Sequence, residues 1–109
     1  MSALTVSDKL LAYIKPEVGV TWDDDATDTQ LKNQIRRGMA YIIDKTGVTA
    51  SAFSVGDDEA NERALELLVN YVRYDRAGSV DQFKTQYQSD IVGLRNRWEV
   101  ANYEAKTTG

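Results

Sequence analysis

The chain has no cysteine and no histidine. The first absence excludes disulfides, thiolate zinc sites and cysteine nucleophiles. The second removes Ser-His-Asp and Cys-His arrangements, the commonest metal ligand and the commonest general base. Any enzyme built here would have to run on Asp, Glu, Lys, Tyr and Ser. Proline occurs once, at Pro16, and no low-complexity linker or internal repeat divides the 109 residues. One domain spanning 1–109 is expected, with a flexible tail after about residue 103. No run of 18 apolar residues occurs, so no transmembrane span is expected. The start, MSALTVSDKL, has no basic segment ahead of an apolar run, so no signal peptide is expected either.

What is present is ordinary globular composition. Hydrophobic residues make up 42% and charged residues 28%, which is enough apolar material to exclude a wholly disordered chain. The net charge of −4 argues against a nucleic-acid grip, which needs a basic face to neutralise phosphates.

Periodicity and capping signals predict an all-α fold, a small four-helix domain with a long C-terminal helix. The first helix spans about Ser7 to Lys15, with Ser7 as N-cap, Val6 and Leu11 as a hydrophobic staple, and Pro16 as the stop. The second runs from Asp25 or Thr27 to Thr46. Its stripe is Leu31, Ile35, Met39 and Ile42 with Ile43 alongside, and Gly47 is its C-terminal glycine. A loop over 48–56 turns Phe53 and Val55 back to the core. The third helix starts near Asp57 and ends by Gly78, with Ala60, Ala64, Leu67, Leu68, Tyr71 and Val72 on one face.

The fourth helix covers VDQFKTQYQSDIVGLRNRWEVANYEAK, residues 80–106, behind a Ser79–Gln82 capping box. Its seam of Phe83, Tyr87, Ile91, Leu94, Trp98, Ala101 and Ala105 steps by fours and threes. Such a helix is about 40 Å long, against a radius of gyration of about 13 Å for a domain of this size. It is expected to overhang its own core, with Trp98 and Tyr103 on the overhang, facing a partner.

Two acidic clusters bear on function. Asp23, Asp24, Asp25 and Asp28 suggest a calcium loop. That pattern needs glycine sixth and glutamate twelfth, where this chain has Asp28 and Gln34. Acid at a helix N-terminus, favoured by the macrodipole, is the simpler reading. Asp57, Asp58, Glu59, Glu62 and Glu66 form the second cluster, with the three glutamates expected on one face of helix three. Acid–base or metal chemistry is conceivable there, but no histidine accompanies them.

Three basic groups are Lys32, Arg36 and Arg37; Arg73 and Arg76; and Arg95 with Arg97 beside Trp98. None is dense enough for DNA. Separate acidic and basic patches suit heterologous contact between subunits, which closes rings. The six tyrosines read as core or interface residues.

The run DDDATDTQLKNQIRRGMAYIIDKTG resembles the start of the small head–tail connector (adaptor) proteins of long-tailed bacteriophages. In those an acidic loop opens a helix that closes on an aromatic-Ile-x-x-x-Thr-Gly phrase, here Tyr41, Ile42, Thr46 and Gly47. ALELLVNYVRYDRAG, followed by a long helix carrying Leu94, Arg95 and Trp98, is similar to the family's third and terminal helices. The likeness covers about residues 5–100. The loop from Val18 to Trp22 is more variable in the family, and the tail after Tyr103 has no counterpart.

The resemblance implies a non-enzymatic structural protein of the virion, assembled in the host cytoplasm and placed at the head–tail interface. It implies a homo-oligomeric ring, typically twelve-fold, under the portal protein and above a stopper or tail-completion protein. DNA passes through such a ring during packaging without sequence-specific binding. No catalytic residue, metal, cofactor or membrane contact is implied. Charge and length together select Lys32, Arg36 and Arg37 against Asp57, Asp58 and Glu59 of a neighbour as the subunit interface. Arg95, Trp98 and Tyr103 are selected for portal docking. Two other readings are a dimeric helical interaction module using the 87–105 seam, and an enzyme working through Glu62 and Glu66.

Overall fold

The computed structural model describes residues 4–108, with side chains as far as Ala101. Five α-helices and a single 3-10 turn follow one another: α1 Asp8–Glu17, α2 Asp25–Thr46, the turn Ala50–Phe53, α3 Glu62–Arg76, α4 Val80–Gln86 and α5 Gln88–Thr108. No strand occurs among the described residues, so the fold is all-α.

The hydroxyl of Ser7 accepts a bond from the Leu10 N–H at 3.1 Å and starts α1, with Val6 and Leu11 both buried at staple positions. Pro16 does not stop the helix. It lies in the last turn, where its missing N–H removes only one bond, and the helix continues to Glu17. The true stop is Gly19, at φ +81°. Its N–H reaches the Pro16 carbonyl at 3.1 Å and that of Val20 reaches Lys15 at 2.8 Å, the paired bonds of a Schellman close. Val20 is then buried beside the α1 core residues.

Asp24 caps α2, its carboxylate accepting from the Thr27 N–H at 3.0 Å and the Thr27 hydroxyl at 2.8 Å. Leu31, Ile35, Met39 and Ile42 are buried as the stripe requires. At the other end Gly47 is left-handed, φ +83°, and donates to the Ile43 carbonyl at 2.8 Å. The buried Thr46 hydroxyl donates to the Ile42 carbonyl at 2.7 Å and accepts from Val48 N–H at 3.3 Å, which turns the chain into the next loop.

α3 starts five residues later than the sequence reading places it. Residues 55–59 are turn and bend, with Gly56 at φ +89°, and Asn61 is the cap, accepting from the N–H groups of Arg63 and Ala64 at 3.0 and 3.1 Å. The physical reason is burial. Asp57, Asp58 and Glu59 offer nothing apolar to the core, whereas Ala64, Leu65, Leu67, Leu68, Val69, Tyr71 and Val72 are all buried. Glu59 and Ala60 therefore lie outside the helix.

The expected single C-terminal helix is two. Tyr87, at φ −101° and ψ 13°, separates α4 from α5. The break lets α4 pack on α3 while α5 packs on α2 and α3. Phe83, fully buried, sits at the corner against Tyr41, Tyr71, Tyr74 and Tyr87, with ring centroids 4.9 to 6.2 Å away. Burying one such ring contributes about 1.5–3 kcal/mol, and edge-to-face contacts add to it. The Ser79 side chain makes no cap bond, so the capping box is not formed.

The molecule measures 48 × 29 × 27 Å, with a radius of gyration of 14.3 Å. Ile91 and Leu94 of α5 are buried and Trp98 is half-buried against the core, whereas Glu99, Val100 and Ala101 are exposed. Among the described side chains, exposure thus begins after Trp98, and Trp98 itself belongs to the core's edge.

Candidate interaction surfaces

Lys32, Arg36 and Arg37 share α2 but not a common duty. Arg37 donates from Nε and Nη2 to one Asp75 oxygen at 3.3 and 2.8 Å, bridging α2 to α3. Arg36 donates to the Leu4 carbonyl at 3.1 Å and to Asn33 at 2.8 Å, pinning the N-terminal segment. Lys32 lies 3.8 Å from the Asp8 carboxylate. Each of the three therefore has polar partners within its own chain. Asp57, Asp58 and Glu59 stand in the turn ahead of α3, exposed, and take part in no ion pair among the described residues.

Arg95 is exposed on α5. Trp98 is turned toward its own core and lines a shallow depression with Ala60, Asn61, Leu94 and Arg97. Tyr103 lies beyond the residues whose side chains are described.

The acidic run before α2 is occupied by an ammonium. Lys15 Nζ lies 2.8 Å from Asp23 and 2.9 Å from Asp28. The two carboxylates, Asp23 first, hold the Lys15 pKa above its ordinary value, and Lys15 in turn lowers that of Asp23. The bonds from Thr27 lower that of Asp24. The stem of Lys15 is covered, with 12% of the side chain exposed, but Asp23 is 99% exposed, so water and salt screen the pair. These acids secure the α1–α2 corner and the α2 N-terminus.

Glu62 and Glu66 flank an open depression on the other side of α3, with Tyr13, Glu17 and Arg73. Arg73 spans it, donating from Nε and Nη2 to the Glu17 backbone carbonyl at 3.0 and 2.7 Å. Its cation thus caps the C-terminal end of α1, where the helix dipole favours it. Among the described residues no three acidic side chains converge on a point that could hold a metal.

One surface escaped the sequence reading. A groove between α2, α4 and α5 is lined by Tyr41, Lys45, Lys84, Ile91, Val92 and Arg95. Its cations are 11 to 50 residues apart in sequence, and the packing of α5 against α2 brings them together. Lys84 and Arg95 share one helical face by their spacing, but only the packing of that face on α2 shows that Lys45 stands beside them.

No family model, curated protein or solved structure matches this chain.

Proposed function

We propose that the chain is a structural head–tail connector of a long-tailed bacteriophage, forming a ring beneath the portal through which DNA passes. The observation that carries this reading is α5. It runs on for about another 15 Å after Trp98, the last core contact among the described side chains, and the turn that follows presents Val100, 57% exposed, to solvent. A projecting helix end suits docking in a partner's groove. The likeness in the sequence is the second support. The phrase Tyr41-Ile42…Thr46-Gly47 closes a long helix here, with Gly47 left-handed. The acidic balance of the chain, −4 overall, suits a channel wall along which DNA slides without sticking.

The test is reconstitution. The purified chain is mixed with a candidate portal assembly and imaged by electron microscopy. A ring of added density on one portal face, lost when residues 99–109 are removed, supports the reading. No binding by the full chain refutes it. A salt-indifferent dimer that ignores portals would instead favour the dimeric interaction module.

A further inference from the structure

Lys45 and Lys84 hold their ammonium groups 5.9 and 5.2 Å from the centre of the Tyr41 ring. Arg95 lines the same groove, whose floor and rim are Ile91 and Val92. Ile91 is buried and Val92 is 38% exposed. Lys84 and Arg95 have no ion-pair partner among the described residues, and Lys45 meets only its neighbour Asp44, at 3.8 Å. Three cations therefore ring a shallow, partly apolar groove, two of them without an ion-pair partner among the described residues and Lys45 with only its sequence neighbour.

The chain carries the complement elsewhere. Asp57, Asp58 and Glu59 form an exposed turn, also without ion pairs, and no ion pair joins it to the groove within one molecule. The turn is held at both ends. Asp57 N–H bonds to the Ser54 carbonyl at 3.1 Å and Asn61 N–H to Ala52 at 2.8 Å. A pre-set loop loses little entropy on docking. The net charge of −4 makes nucleic acid a poor occupant.

We propose that the Lys45–Lys84–Arg95 groove receives the Asp57–Glu59 turn of a second copy of this chain. This rests on the ring reading and replaces its expected basic partner, the Lys32–Arg37 segment, whose two arginines are already bonded within the chain. Groove and turn are different surfaces, so each copy offers one of each. The contact is head-to-tail and repeats until it closes or runs on. Rim charges of this kind set association rate and specificity and weaken with salt.

Two neutralised variants test it, K84S/R95S and D57N/D58N/E59Q. All five positions are exposed, and unchanged circular dichroism verifies the fold. Sedimentation velocity at low salt is run on the wild type, each variant alone and their equimolar mixture. The expected result is concentration-dependent association of the wild type, at least tenfold weaker association of each variant, and recovery of a 1:1 dimer in the mixture, where one native contact survives. Variants that associate like the wild type overturn the contact and leave the ring reading standing. A mixture that stays monomeric also overturns it. A wild type that is monomeric at every concentration overturns it too, and portal binding then decides the ring reading separately.

Discussion

Gly38 of α2 and Leu68 of α3 meet with no room for a side chain between them: a Cβ on Gly38 would stand 2.7 Å from Leu68 Cδ1 and 2.9 Å from Tyr71 Cδ1. Both neighbours are buried, so neither moves freely. Gly38→Ala is expected to lower stability by about 1–3 kcal/mol through overpacking, despite the better helix propensity of alanine. Urea denaturation checks this, and an unchanged or raised midpoint contradicts the close approach.

The aromatic corner makes its own prediction. Phe83 touches four tyrosine rings and has no exposure. Phe83→Ala is expected to cost about 3–5 kcal/mol, and Phe83→Leu clearly less, because the cavity is partly filled. The near-ultraviolet circular dichroism of the tyrosines should fall in both variants. A surface-like cost below about 0.5 kcal/mol for Phe83→Ala contradicts the packing.

Arg73 joins α3 to the end of α1 through one carbonyl, that of Glu17. The two bonds converge on one oxygen from adjacent nitrogens of the planar guanidinium, a geometry lysine lacks. Arg73→Ala and Arg73→Lys are both expected to lose about 1 kcal/mol, with faster amide exchange in the last turn of α1. Full rescue by lysine would show that charge alone matters.

The titrating groups give a pH dependence with two edges. Asp23 and Asp24 have pKa values lowered by Lys15 and Thr27. Their stabilisation is present above the ordinary carboxylate value and fades as pH falls below about 4. Lys15 is raised, and its contribution fades as pH climbs above about 10.5. Burial raises Tyr41, Tyr71 and Tyr87, so the folded state resists their ionisation and loses stability above about pH 10. Thermal melts from pH 2 to 11 should show a plateau between the edges. Added salt should weaken the Lys15 component, and a melting temperature rising above pH 10 contradicts the assignment.

Much of this was legible because helices announce themselves locally. Ser7 and Gly47 act as their types suggest, and the α2 stripe is buried where its spacing places it. The errors arose where two local signals competed or where packing decided. Pro16 looks like a helix stop, but a proline in a last turn forfeits little, and the chain turns at Gly19. The acidic residues at 57–59 looked like a helix start, while Asn61, just beyond them, had both the cap geometry and an apolar face behind it. The break at Tyr87 has no proline or glycine to mark it. It follows from Phe83 filling the corner among tyrosines of α2 and α3, contacts 9 to 42 residues distant in sequence. The basic groove depends on α5 packing against α2, a long-range contact that no local signal announces. Trp98 looked like an overhanging aromatic because chain length alone did not show how far the core reaches.

The central claim is that this chain builds a ring on a portal. The most direct measurement is mass by light scattering across protein concentration, in low and moderate salt, with and without a candidate portal protein. The account predicts a discrete species of about ten or more subunits, or a monomer that joins the portal in fixed stoichiometry, with the self-association weakened by salt. A stable dimer indifferent to both salt and portal would contradict it.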